Sequence, residues 1–306
     1  MKTSILLRDL VGSICGQYII QGDIRGYIRS ALPIDQADED SVSYCRFKDE
    51  RAQQIIRASK ARVIICSNEL ELSEIDYGGK TIIQVTNPRL TFIRLLARYF
   101  PSKPQYGIHP SAVVDEKAKI GDRVYIGPLC NIEKCEIGND SIIESHAYIH
   151  SQVKIGERVT IQPGVIIGAE SIAYERNEDK ELERFPQLGA VLIEDDVRIG
   201  ANSVIGRGPL PRSATVIGKG TKISSLVIVG HGVKIGKHCI IIGHTTLMGS
   251  VKIGDYTHIS SHVCVKQGVT VGSSVLVGMG SAVLSDVPDN YVVVGTPAKR
   301  LRENFL

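Results

Sequence analysis

Tryptophan is absent from the 306 residues, and Tyr and Phe bring the aromatic share to only 5%. A conventional core built around large rings is therefore not expected, and 30 glycines suggest many turns and thin layers instead. No two cysteines form a CxxC pair. The seven thiols (Cys15, Cys45, Cys66, Cys130, Cys135, Cys239, Cys264) are odd in number and scattered, which argues against a disulfide framework and predicts a reducing, cytoplasmic location. No apolar run approaches the roughly 18 residues of a membrane span. The opening MKTSILLRDLVG is broken by Arg8 and Asp9, so neither a signal peptide nor a transmembrane helix is predicted. Basic and acidic residues (36 and 33) are interspersed for a net charge of +3, without a basic stripe for nucleic acid or a membrane surface. GxSxG elbows and P-loops are also missing.

What the chain does have is a period of six. Aliphatic residues recur from Ile108 through Val114, Ile120, Ile126 and Ile132, step back by one residue to Ile137, and continue to Ile167. The register returns at Ile193, Ile199 and Ile205, then runs from Ile217 through Val229, Ile235, Ile241 and Leu247 to Val283. The fifth place of each late hexad is small and uncharged, for example Thr221, Val227, Val233, Cys239, Thr245 and Val251, as an inward position in a triangular coil requires. Three hexads make one coil, and coils stack by parallel pairing. The predicted class is mainly β: a left-handed parallel β-helix of hexapeptide repeats over 106–287, a small N-terminal α/β domain over 1–105, and a C-terminal tail over 288–306. Residues 173–192 and 207–216 break the register and read as loops thrown out of the prism, where function is expected.

In the first domain, Ala61–Cys66 and Thr81–Val85 are buried-strand patterns, and 51–60 is a helix candidate. Asn87-Pro88 starts a second helix with an N-cap and Pro at N1. Residues 101–107 read as a linker.

With these segments on the page, the chain resembles the UDP-3-O-acylglucosamine N-acyltransferases of lipid A synthesis over nearly its whole length. The matching segments are Thr86-Asn-Pro-Arg-Leu-Thr-Phe92, Ile108-His-Pro-Ser-Ala-Val113 and Phe185-Pro-Gln-Leu-Gly189. The resemblance implies a trimer, a uridine-nucleotide site in the first domain, and a catalytic base in the segment matching Gly230-His-Gly-Val-Lys-Ile-Gly236, which is His231. By the same match Gln187 and Arg207 fall in substrate-binding segments, and Tyr44 stands where the family sets an aromatic against uracil. Departures accompany the matches. The family's GFG stretch is here Ala169-Glu-Ser-Ile-Ala-Tyr174, its Asp-Arg-Gly is Gly206-Arg207-Gly208, and its second His falls on Gly268. The family's long C-terminal helices, which serve acyl carrier protein, have no counterpart. Val287-Pro-Asp-Asn290 and Gly295-Thr-Pro-Ala-Lys299 resemble instead the ending of coenzyme-A-dependent sugar acetyltransferases, with Lys299 as a donor contact.

The expectation is thus N-acyl transfer from an acyl-carrier-protein or coenzyme A thioester to the amine of a UDP- or dTDP-linked amino sugar. The enzyme would be a homotrimer that binds no cofactor, metal or nucleic acid, in lipid A or surface-polysaccharide biosynthesis. The alternative is a coenzyme-A-dependent O- or N-acetyltransferase of another sugar. His231 occupies an outward place in its hexad and fills no core space, and imidazole titrates near the working pH of such a reaction. His244 is the second candidate for the cleft. It stands 18 residues from His262, a spacing that stacks the two rings and leaves open a zinc site or a polar subunit interface. Tyr44, Phe47 and Lys48 could offer a ring face and a phosphate contact, or Tyr44 and Phe47 could be core packing. Cys130 and Cys239 fill inward places and read as core atoms.

Overall fold

The computed structural model describes residues 4–72, 78–101 and 105–303. Residues 102–104 of the expected linker lie outside it. The chain divides into two compact units, Met1–Pro104 and Gln105–Leu306.

The first unit is a five-stranded sheet in the order Tyr18–Gln21, Thr81–Val85, Val63–Ser67, Ser41–Tyr44, Ser30–Ala31, parallel except for the first strand. Val63–Ser67 and Thr81–Val85 are buried throughout, as continuous apolar runs between helical layers should be. One core side packs Leu7, Leu10 and Leu95 against the sheet; the other packs Ala52 and Ile56. Helix Glu50–Ala58 begins where the Asp49 side chain accepts from the Arg51 amide, and helix Pro88–Tyr99 where Asn87 accepts from the Leu90 amide. Both are N-caps that satisfy amides left without helical partners.

The second unit is a left-handed parallel β-helix. Short strands stack into three faces. Face I runs from Gly107–Ile108, face II from Val113–Val114 and face III from Lys119–Ile120, each repeating once per coil. The periodic Ile, Val or Leu of each hexad from Ile126 to Val283 points inward and is buried, and one continuous core extends from Val124 to Val293. The small inward residues are buried as the pattern requires, Cys130 and Cys239 included. Where that residue is Ser or Thr, its hydroxyl stitches coils together. Thr257 Oγ1 donates to Gly272 O at 2.7 Å and accepts from Val275 N at 3.1 Å; Thr221 does the same with Gly236 and Cys239.

Two boundaries differ from the expectation. The excursions span 170–189 and 207–213, because Ala190–Ile193 and Ala214–Ile217 are already strands of face III. The longer one carries its own hairpin, Tyr174–Arg176 against Leu182–Arg184. The expected tail is not separate from the helix. Tyr291–Val294 stacks on face I, and Lys299–Glu303 pairs antiparallel with it, covering the strand edge that the last coil would expose.

Candidate functional site

Both excursions leave the prism at one corner, between faces II and III. Their roots are tied together there. Gly189 N donates to Gly208 O at 2.9 Å, Gly208 N to Ala190 O at 3.0 Å, and Leu188 N to Pro209 O at 3.2 Å. Gly189 allows that approach, since a Cβ on it would meet Gly208 O at 2.5 Å, and Gly208 lets the shorter excursion fold back on itself, since a Cβ there would meet Ser213 O at 2.6 Å.

His231 stands at this corner, half-buried, one residue before the left-handed turn at Gly232. Its ring rests on the next coil, where a Cβ on Gly249 would come within 2.2 Å of Cε1 and 2.6 Å of Nε2. Only glycine leaves room for the imidazole. On the preceding coil, a Cβ on Gly206 would lie 2.6 Å from Ser171 Oγ and 3.2 Å from His231 N, so Ser171, at the start of the long excursion, shares the corner. The hydrogen bonds among the described residues include none from the Gly249 amide or to the His231 ring.

Gln187 and Arg207 complete the corner. Gln187 is 1% exposed; its Oε1 accepts from Ser171 N at 2.8 Å, while its Nε2 has no partner among the described residues. Arg207 Nε donates to Gly168 O at 2.7 Å and a terminal nitrogen to Ser151 O at 3.2 Å, so the guanidinium braces two earlier coils and retains further donors.

Other sequence candidates lie elsewhere. His244 is at the corner between faces I and II, so in one chain the width of face II separates it from His231. Its ring stacks on His262 with centroids 4.8 Å apart. Among the described residues no group of three His, Cys, Asp or Glu is arranged to hold a metal ion. Tyr44 and Phe47 share a concavity of about 450 Å³ at the C-terminal edge of the first unit's parallel strands. Tyr44 also packs on Phe92 with ring centroids 5.0 Å apart, and Lys48 is paired with Glu69 at 2.8 Å. Lys299 is exposed on the closing strand.

The sequence reading passed over Glu133, four coils before His231 along the same corner, and Tyr148 and His150, three coils before it. Glu133 Oε1 lies 2.8 Å from Tyr148 OH and 3.3 Å from His150 Nδ1, and its other oxygen accepts from Ser151 N at 2.8 Å. Partial burial opposes its charge, but the Ser151 amide, the Tyr148 hydroxyl and His150 together hold the carboxyl below its usual range. The coil count was the available signal, offset by the one-residue step between Ile132 and Ile137. Gly249, 18 residues beyond His231, was legible in the same way.

Known proteins resemble this chain in sequence and in fold. Residues 134–169 match a family model described as bacterial transferase hexapeptide (six repeats). The chain is similar to a UDP-3-O-acylglucosamine N-acyltransferase of Coxiella burnetii, 32% identical over 251 residues, covering 76% of this chain and 71% of that one. A protein of the same description from Herminiimonas arsenicoxydans is 30% identical over 309 residues, covering 94% and 86%. Among solved structures, the UDP-N-acetylglucosamine acyltransferase of Francisella novicida superposes with a TM-score of 0.57 at 30% identity, covering 64% of this chain and 69% of that one. The corresponding enzyme of Bacteroides fragilis gives 0.57 at 28% identity, covering 64% and 74%.

Proposed function

This chain belongs to the hexapeptide-repeat acyltransferases, in the family of the UDP-3-O-acylglucosamine N-acyltransferases, and from that premise we propose that it acylates the amine of a nucleotide-linked amino sugar with His231 as general base. The observation that carries the assignment is the seat of the His231 imidazole on Gly249 at the corner where both excursions converge. The amine attacks the thioester carbonyl while a ring nitrogen of His231 takes its proton. The Gly249 amide, beside the ring and without a hydrogen-bond partner among the described residues, is the candidate donor for the resulting oxyanion. Collapse then expels the thiolate, which recovers the proton from the imidazolium, and no acyl-enzyme forms. Arg207, with donors left over beside the His231 corner, is the acceptor contact in this scheme, and within the first unit Tyr44 and Phe47 are the candidates for holding a nucleotide base.

The reading includes a homotrimer, supported by the character of face II. Its outward residues are Val113, Asn131, Tyr148, Ile166, Val204, Ile228, Thr246, Cys264 and Ala282, without a charge from end to end. Face III instead presents Lys119, Glu136, Lys154, Lys234 and Lys252. In a closed threefold ring with face II turned inward, the corner bearing His231 meets the neighbour's corner bearing His244. His244 then enters the cleft from the adjacent subunit.

The closing segment from Val287 to Lys299 favours a second reading, a coenzyme-A-dependent acetyltransferase of another sugar. Mass spectrometry of products from UDP- and dTDP-linked amino sugars and from free sugars, each offered acyl-carrier-protein and coenzyme A thioesters, separates the two. An N-acylated nucleotide sugar supports the first, and product only from free sugars rejects it.

A further inference from the structure

Face III carries a second concavity, of about 490 Å³, beside the corner that bears Ser151 and Gln152. Four lysines stand around it, Lys117, Lys119, Lys134 and Lys154, over a floor that includes Cys135 and Val153. Burial pushes the Cys135 thiol up to about 12, with Asp115, Glu133 and Glu136 adding to the effect, so this sulfur stays neutral packing.

The charges are unevenly matched. Glu136 is shared between Lys119 at 2.7 Å and Lys154 at 3.6 Å. Lys117 and Lys134 make no ion pair among the described residues. The other nearby carboxylates are engaged: Glu133 by Tyr148, Ser151 and His150, and Asp115 by the Lys117 amide at 2.7 Å. Two exposed lysines without an ion-pair partner among the described residues therefore border a small cleft with an apolar floor.

We propose that this concavity is a subsite for a phosphate ester, bound through Lys117 and Lys134. An ammonium donates in three directions to phosphate oxygens, and such charge-assisted bonds are the strong ones. Ser151, on its wall, lies three coils from His231, about 14 Å at the usual strand spacing. A nucleoside diphosphate or a phosphopantetheine arm spans that distance when extended, so the phosphate comes either from the acceptor or from the thioester donor. The two sources of phosphate rest on the proposed acyl transfer, whereas the cleft itself holds whichever residue is the base.

Lysine acetylation of the intact protein, read residue by residue by mass spectrometry, tests it. The probes are UDP, coenzyme A, inorganic phosphate and, as the neutral control, uridine. UDP or coenzyme A should slow modification of Lys117 and Lys134 about fivefold or more while leaving Lys234 and Lys252 of the same face within about twofold. Protection by UDP assigns the acceptor, and protection by coenzyme A assigns the donor. Equal protection by uridine, protection by inorganic phosphate alone, uniform slowing of all four lysines, or no protection overturns the proposal. The Lys117→Gln/Lys134→Gln variant, altered only at exposed side chains, should bind the protecting probe about tenfold more weakly, and unchanged affinity has the same overturning force.

Discussion

At the scale of single residues, the contact between His231 and Gly249 lets the proposed base be tested apart from folding. The imidazole fills no core space; Val229 and Val233 on either side carry the packing and are buried. His231→Ala should therefore keep the cooperative thermal transition while lowering turnover roughly 100-fold to 10,000-fold, the range for losing a general base. Gly249→Ala supplies the complementary test. The nearest atoms to its new Cβ all belong to the His231 ring, and Gly249 does not occupy the left-handed region, so the methyl displaces the base without straining the backbone. Turnover should fall at least about tenfold, and the double variant should be no slower than His231→Ala alone, because two changes acting through one ring are not additive. Steady-state kinetics of the three variants checks both; an additive double loss would remove the ring as the shared cause. The outward hexad place of His231 was legible in the sequence. His244, the second candidate for the cleft, sits at the next corner of its own chain, which the same hexad count gives.

Within the coils, the inward hydroxyls make the strongest local prediction. Thr257→Val preserves shape but leaves Gly272 O and Val275 N without the partner each has now. A buried donor left unpaired costs about 1–3 kcal/mol, and denaturant unfolding should show a loss of that order. His258, half-buried on face I between Ile240 and Leu276, adds a pH dependence. Burial lowers its pKa, so the unfolded chain binds this proton more readily than the folded one. Stability should be full above about pH 6.5 and decline as pH falls through the depressed value. His258→Gln should flatten that slope in thermal melts between about pH 7 and 5; an unchanged slope assigns it to another group. Strands such as Thr81–Val85 announced themselves as apolar runs. Ser41–Tyr44 did not, because two of its residues are serines, and only the fold shows Ser41 Oγ bonded to Asp38 O at 2.7 Å and the strand buried between neighbours.

For the whole molecule, sixfold periodicity encoded the prism almost completely, since each hexad repeats one local instruction and each coil contacts only its neighbours. The roots of the excursions were less legible. Gln187 reaches Ser171, and Arg207 reaches Gly168 and Ser151, through bonds spanning 16 to 56 residues, which no local pattern announces. Assembly is a further step outward, and face II offers a chemical reporter for it. Of the seven thiols, Cys15 and Cys264 are exposed in the single chain and five are buried. Cys264 points outward from face II, whereas Cys15 belongs to the first unit. If three copies close with face II inward, a thiol reagent should modify Cys15 rapidly and Cys264 at least about tenfold more slowly at micromolar protein, because a packed interface excludes the reagent as a protein interior does. Ile228→Lys places a charge in the middle of that face, where Ile228 is 52% exposed in the isolated chain. Burying an unpaired ammonium costs enough to dissociate the ring, and Cys264 should then react as fast as Cys15 while light scattering reports the monomer mass. Equal rates for the two thiols in the unaltered protein would mean that face II is open to solvent and that the cleft beside His231 is completed by some other surface.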